Sequence, residues 1–127
     1  MKLFFIYLFI ALSSTSYSID TLKIMTFNLL HYPGTDTTTR NPFFRTIIEA
    51  TNPDILVVQE IHSQAGVDGF LNNVMNSVFP NTYSSGVFID GPDTDRAVFY
   101  KHAKIYFVSN IAIPTPLRDI NEFKFYH

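Results

Sequence analysis

The sequence predicts an α/β (α+β) fold on the basis of three observations. Two apolar runs, at 22–30 and 55–58, are rich in β-favouring residues and contain no Gly or Pro, which is typical of buried strands. Between them, residues 42–51 carry apolar side chains at helical spacing, with Asn41 as a candidate N-cap and Pro42 in the first turn. Several strand-like segments follow in the second half, so we expect strands and helices to form packed layers.

The remaining elements follow from turn residues and apolar spacing. Residues 31–41 are interpreted as a loop because Pro33-Gly34 interrupts them. Apolar residues at helical spacing predict a second helix at about 67–78. Four more strands are predicted at 83–89, 96–100, 104–109 and 120–126. The first two of these are joined by a polar, turn-rich segment, which is typical of a hairpin connection.

Composition narrows the class of protein. A chain of 127 residues allows one domain at most, and 46% hydrophobic with 16% aromatic residues exclude a disordered protein. The net charge of −2 supplies no basic field that could hold nucleic acid by phosphate neutralisation alone. The sequence contains no cysteine, which excludes disulfides, thiolate catalysis and zinc–thiolate sites. A metal ion or a local basic patch would have to attract an anionic substrate.

Residues 1–18 have the three-part pattern of a secretory signal peptide. Lys2 supplies the positive start, an unbroken apolar run covers 3–12, and small residues follow up to Ser18. The apolar run is shorter than the roughly 20 residues that a membrane-spanning helix needs. We therefore expect a secreted or periplasmic protein without a stable membrane anchor, with 19–127 as the mature part. A buried N-terminal strand or an uncleaved anchor is the alternative.

Polar side chains end the two most apolar strands, although a buried strand has no need of them. The first strand carries Asn28 near its end, and the second leads into Gln59-Glu60. Carboxylate oxygens are the protein ligands that Mg²⁺ prefers. We interpret the two endings as part of a divalent-metal site for cleaving phosphate esters.

Three short motifs resemble one known family. They are Thr26-Phe27-Asn28-Leu29, then Pro53-Asp54-Ile55 leading into Gln59-Glu60, then Ala97-Val98-Phe99-Tyr100-Lys101. In this order and spacing they resemble the N-terminal half of the endonuclease/exonuclease/phosphatase superfamily, which includes pancreatic-type deoxyribonucleases. The resemblance implies part of a four-layer α/β sandwich, with two sheets packed together, helices outside and the C-terminal half missing. It extends from about residue 22 to about residue 125.

The resemblance assigns roles to the two strand endings. Glu60 matches the family's metal-binding glutamate, and Asn28 matches the Asn that orients the ligands and the phosphate beside the metal. Both would then be catalytic, with Glu60 as the direct ligand and Asn28 as an indirect one. The implied cofactor is Mg²⁺, with Mn²⁺ or Ca²⁺ as alternatives. Without the family context, a solvated carboxylate at a strand end would be the better explanation of Glu60. The alternative for Asn28 is an Asn that merely ends a strand.

Arg118 resembles an Arg that precedes a late strand in several family members, where it could contact a substrate phosphate. A salt bridge to Asp119 or Glu122, or simple exposure, explains this residue as readily. Gln59 is expected to support the site. Asp54, which follows a proline, is interpreted as a turn residue between helix and strand.

Two other groups of residues have simpler explanations than a metal site. His31 and His62 follow the two strands, but they do not lie in a His-Glu-x-x-His arrangement, so a zinc site is disfavoured. Asp90, Asp93 and Asp95 lack the alternation and the closing Glu of an EF-hand. We interpret these three as an acidic hairpin turn. No role is assigned to Arg96.

The sequence thus predicts a secreted, divalent-metal-dependent phosphoesterase that hydrolyses phosphodiester or phosphomonoester bonds. Its expected partner is a phosphate-ester substrate, either nucleic acid or a phospholipid head group. The family's remaining catalytic motifs belong to the missing half, so we expect these 127 residues to be inactive alone. The alternative is a non-catalytic exported binding protein on the same scaffold, with a decayed metal site. The sequence specifies neither the substrate nor the oligomeric state.

Overall fold

Six strands, three α-helices and one π-helical segment make up residues 20–127, the part of the chain that this computed structural model describes. The predicted signal peptide at 1–18 lies outside the described residues. The elements are β1 (Ile24–Tyr32), α1 (Thr37–Thr51), β2 (Ile55–Ile61), α2 (Gln64–Phe70), the π-helical segment (Leu71–Met75), α3 (Asn76–Val78), β3 (Tyr83–Ser85), β4 (Asp95–Lys101), β5 (Tyr106–Ile113) and β6 (Ile120–Tyr126).

The strands form two sheets. The larger sheet has the order β1-β2-β4-β3, and the smaller one is the antiparallel pair β5-β6. Strands β1 and β2 are parallel, with α1 as their crossover, whereas β4 is antiparallel to both of its neighbours. The α/β prediction is therefore confirmed.

Each face of the larger sheet buries its own apolar core. On one face, side chains of the sheet pack against the helices around Phe70, which is fully buried and contacts the rings of Tyr32 and Phe44 at centroid distances of 5.2 and 5.6 Å. On the other face, Ile55 and Val98 pack with side chains of the β5-β6 pair. The layers run helices, sheet, sheet, which is the order expected for three layers of the four-layer sandwich.

Helix α1 begins at Thr37, so the predicted start at 42 and the predicted N-cap at Asn41 are wrong. The carbonyl of Asp36 accepts hydrogen bonds from the N–H groups of Thr39 and Arg40, both at 3.0 Å, and its carboxylate pairs with Arg40 one turn on at 3.2 Å. These contacts extend the helix into a polar stretch that is predicted to be a loop because Pro33-Gly34 interrupts it. Asn41 instead lies inside the helix, where its side chain accepts a hydrogen bond from the Tyr32 hydroxyl at 3.2 Å.

Strand β3 ends at Ser85, although the sequence predicts a strand to 89. The reason lies in Gly86, where an added Cβ would come within 2.7 Å of both the Phe107 ring and a Val98 methyl. The smaller sheet lies close to the backbone at Gly86, so the chain passes beneath Phe107 and does not continue strand β3. Strand β5 also starts later than predicted, because the carbonyl of Lys101 accepts N–H bonds from Lys104 and Ile105 in a tight turn.

No helix within residues 20–127 is long and apolar enough to cross a membrane. Strand β1 lies at one edge of the larger sheet and β2 is its central neighbour, so their carboxyl ends meet at one edge of the domain.

Candidate active site

The carboxyl ends of β1 and β2 lie side by side and are both irregular. Asn28 is in register with Gln59, and the ladder then shifts before Tyr32 pairs with Ile61. On the other side of β2, Gln59 pairs with Arg96 and Ile61 with Asp95, so Glu60 is an extra residue in the strand. Glu60 has φ = 58°, which is left-handed backbone that costs a non-glycine residue about 1–2 kcal/mol. The bulge takes Glu60 out of the regular alternation of the strand.

Asn28 and Glu60 are in direct contact. The Asn28 amide Nδ2 donates a hydrogen bond to Glu60 Oε1 at 3.1 Å. The Asn28 Oδ1 accepts the backbone N–H of Leu30 at 2.8 Å, which fixes the orientation of the amide. The structure therefore brings together the two residues that the sequence assigned to one site.

Arg118 approaches the same carboxylate from the connection between β5 and β6. Its Nη1 lies 3.9 Å from Glu60 Oε1, and its Nε donates to Asp93 Oδ2 at 2.8 Å. The ion-pair partners are thus Glu60 and Asp93, rather than Asp119 or Glu122. The Thr115 hydroxyl accepts the Arg118 N–H at 3.2 Å and stabilises the turn that presents this arginine.

A cavity of about 130 Å³ lies between these groups. The residues that line it lie either at one end of the larger sheet or in the β5–β6 connection. They are Asn28, Gln59, Glu60, Thr94, Asp95, Arg96 and Arg118. Gln59 lies at the site, where the sequence placed it. Thr94, Asp95 and Arg96 were missed, although they begin a strand antiparallel to β2 and therefore share the edge where β2 ends.

The electrostatics of the cavity favour an ionised Glu60. The hydrogen bond from Asn28 holds the pKa of Glu60 below its usual value, and the neighbouring His31 and Arg118 lower it further, against the opposing effect of burial. Asp95 is different, because burial raises its pKa and the charges of Asp90 and Asp119 raise it further, although it accepts the Gly91 N–H. The surroundings therefore favour the charged form of Glu60 more than that of Asp95.

His31 and His62 form a pair beside the site. His31 Nδ1 lies 3.0 Å from His62 Nε2, and His31 Nε2 lies 3.8 Å from Glu60 Oε2. The two rings are 18° from coplanar with centroids 5.2 Å apart, so they meet edge to edge through these nitrogens. The two ring nitrogens therefore point at each other.

The donors at the cavity fit a hard, hydrated cation. Glu60 offers a carboxylate oxygen, Oε2, and the amide of Asn28 lies beside it. Mg²⁺ typically binds through one or two carboxylates while keeping several waters. No group of three or more His, Cys, Asp or Glu side chains within residues 20–127 is arranged to hold a metal ion. Within the described residues, Glu60 is the carboxylate of this cavity that could hold such a cation.

Asp54 lies away from this site, at the opposite end of β2. Its carboxylate is 8% exposed, accepts the backbone N–H of Lys23 at 2.9 Å, and pairs with Lys101 at 3.1 Å and Lys104 at 3.3 Å. A larger cavity of about 480 Å³ surrounds this cluster, but Asn28 and Glu60 do not line it. Asp54 occupies the predicted corner between helix and strand, and in addition it holds two lysines.

Comparison with known proteins places the fold. No protein-family model and no curated protein matches this sequence. Among solved structures, Danio rerio TDP2 complexed with a single-strand DNA product superimposes with a TM-score of 0.61 at 16% identity, over 83% of this chain and 40% of that one. An endonuclease/exonuclease/phosphatase family protein from Bacteroides thetaiotaomicron gives a TM-score of 0.57 at 19% identity, over 76% and 36%. The chain has the endonuclease/exonuclease/phosphatase fold.

A third similar structure is the mannosyl-6-phosphatase of Bacteroides thetaiotaomicron, with a TM-score of 0.51 at 20% identity, over 72% of this chain and 36% of that one. This chain spans about two fifths of the length of TDP2 and about one third of the length of the other two proteins. This chain therefore matches only part of a domain with the endonuclease/exonuclease/phosphatase fold.

Proposed function

We propose that the full-length protein is an exported, divalent-metal-dependent phosphoesterase with Glu60 and Asn28 in its metal site. One observation carries the proposal: Asn28 and Glu60, on neighbouring strand ends, are hydrogen-bonded at 3.1 Å in a cavity that Arg118 also lines. A carboxylate for a cation and a guanidinium for a phosphate thus face one small space. The fold, which the similar phosphatase and TDP2 structures share, supports the same reaction class.

Each of these residues has a separate task in the proposed reaction. Asn28 holds one oxygen of Glu60 by its Nδ2, which leaves Oε2 available to a cation. Arg118 presents a planar guanidinium, which is suited to bidentate contact with a phosphate, and Asp93 fixes its direction. A divalent cation bound at Glu60 would supply Lewis-acid polarisation of the phosphoryl oxygen and a lowered pKa for its bound water.

The proposed substrate is a phosphate ester. One similar structure is TDP2 complexed with a single-strand DNA product and another is a mannosyl-6-phosphatase, so both nucleic acid and small phosphomonoesters are candidates. A phospholipid head group is the other candidate, because the predicted signal at 1–18 would export the protein. The net charge of −2 favours a substrate that is held by local groups over one held by a broad basic surface.

The test compares full-length wild type with Glu60→Gln on plasmid DNA, sphingomyelin and mannose 6-phosphate, each with Mg²⁺ and with chelator. We expect hydrolysis of one substrate class that depends on Mg²⁺ and falls at least about 100-fold in Glu60→Gln, because loss of a direct metal ligand should cost more than the roughly 10–100-fold that loss of a group supporting a ligand costs. Glu49→Gln is the matched control, because Glu49 is exposed on α1 and its substitution should leave the fold unchanged.

Hydrolysis by Glu60→Gln at the wild-type rate would refute the metal role of Glu60. A full-length protein that neither binds Mg²⁺ nor hydrolyses any phosphate ester would favour the non-catalytic binding protein with a decayed metal site. Export is tested separately by fractionation, in which the mature protein is expected outside the cytoplasm with its N-terminus near residue 19.

A further inference from the structure

Two buried polar atoms in residues that line the cavity have no hydrogen-bond partner among residues 20–127. They are the hydroxyl of Thr94, in a residue that is 4% exposed, and Oδ2 of Asp95, in a residue that is 5% exposed. A buried polar group without a partner destabilises the folded state, and such groups are rare in folded proteins. An ordered water or an ion commonly accounts for them.

These two residues lie beside Glu60. Asp95 pairs with Ile61 across the ladder, and Arg96 pairs with Gln59, so the bulged Glu60 lies between these two pairs. Asp95 and Glu60 also line the same cavity of about 130 Å³. Since one water takes about 30 Å³ of liquid, the cavity has room for about four waters, or for an ion with part of its water shell.

Two other carboxylates lie near Asp95. Its Oδ1 accepts the Gly91 N–H at 3.0 Å, while Asp90 and Asp119 lie near enough to raise its pKa after the larger effect of burial. Two arginines line the same cavity: Arg96 donates to the carbonyl of Asp119, and Arg118 donates to Asp93. A cation beside Asp95 would offset the repulsion from Asp90 and Asp119.

We propose that Asp95 is a second carboxylate of the metal centre, accepting hydrogen bonds from the water shell of the cation that Glu60 binds. The Thr94 hydroxyl binds the same water shell. This inference rests on the proposed metal site at Glu60 and adds two residues to it. It also explains why the two buried atoms without partners lie next to the strand end that carries Glu60.

A competing explanation involves only the protein. A protonated Asp95 could donate a hydrogen bond to the carboxylate of Asp90, which would satisfy Oδ2 without any ion. In that case, Asp95 would have no effect on metal binding. The two explanations therefore differ in a quantity that can be measured directly.

The experiment measures Mn²⁺ binding to the full-length protein by electron paramagnetic resonance of the free ion. We expect Asp95→Asn to weaken Mn²⁺ binding by about 10–100-fold, the usual cost of losing a group that supports metal ligands. Asp68→Asn is the matched control, since Asp68 is exposed on α2 and hydrogen-bonded only to Gln64, and it should bind Mn²⁺ as the wild type does. In chelator, Asp95→Asn should melt at or above the wild-type temperature, because it removes a buried charge with no cation beside it.

Mn²⁺ affinity of Asp95→Asn within about twofold of wild type, with Glu60→Gln strongly weakened, would overturn the role of Asp95 and leave the site at Glu60 intact. Unchanged affinity in Glu60→Gln would instead refute the proposed function. If Asp95→Asn does not fold, Thr94→Val, which keeps the side-chain shape, replaces it in the same titration. A several-fold loss of Mn²⁺ affinity in Thr94→Val supports the proposal, and an unchanged affinity overturns it.

Discussion

Replacing Asp54 with Asn should destabilise the protein at neutral pH by about 1–2 kcal/mol. Burial alone would raise the pKa of this carboxyl, but the Lys23 N–H and the ammonium groups of Lys101 and Lys104 outweigh it and lower the pKa to about 2. Relative to the ordinary value of 3.8, this corresponds to about 2.4 kcal/mol of stability. The two lysine side chains are 20% and 30% exposed, so we reduce the estimate to about 1–2 kcal/mol for solvent screening.

The pH dependence of this effect has a definite sign. The folded-state pKa is lower than the unfolded-state pKa, so the stabilisation is fully present above about pH 5 and is lost as the pH falls towards about 2. The difference between wild type and Asp54→Asn should therefore be largest at pH 7 and should shrink between pH 5 and pH 2.

Urea denaturation followed by circular dichroism at several pH values measures this difference. Asp36→Asn is the control, because the Asp36 side chain is 59% exposed and its pair with Arg40 should contribute less than about 1 kcal/mol. A deficit of Asp54→Asn below about 0.5 kcal/mol at pH 7, or one that stays constant down to pH 2.5, would refute the reasoning.

Two further outcomes follow from single contacts. Arg118→Lys keeps the charge but loses the planar fork that donates to Asp93, so KM for the phosphate ester should rise about tenfold with a smaller change in kcat; a KM equal to wild type in steady-state assays would contradict a phosphate contact. Tyr83→Phe removes a buried hydroxyl that donates to the Pro53 carbonyl at 2.7 Å and should cost about 1–2 kcal/mol in urea denaturation. Tyr126→Phe, at a side chain that is 62% exposed, should leave stability within about 0.5 kcal/mol of wild type; equal effects of the two Tyr→Phe changes would disprove the role of the buried bond.

The sequence predicts the strand–helix–strand order because those signals are local. The apolar runs that became β1 and β2 are readable without knowledge of their partners, and the polar residues at their ends, Asn28 and Glu60, stand out against them. Their contact at 3.1 Å follows from the parallel register of the two strands. The family resemblance supplied the chemical roles, which apolar patterns do not carry.

The features that the sequence did not reveal depend on contacts between distant segments. The bulge at Glu60 is formed by a non-glycine residue in a left-handed conformation, which no residue type signals. Strand β3 ends early because Phe107, which belongs to the smaller sheet, lies close to Gly86. Asp95 looked like a turn residue because its burial and its place beside Glu60 arise only from pairing with β2.

The residues at the two ends of strand β2 have different roles. Asp54 and its lysines precede the strand, and Glu60 lies near its other end, so six residues at about 3.3 Å each put roughly 20 Å between the two carboxylates. Changes at sites so far apart with no shared partners usually act independently. The residues around Glu60 could therefore be exchanged during evolution, altering what the protein acts on, while the cluster at Asp54 continues to hold the sheet together.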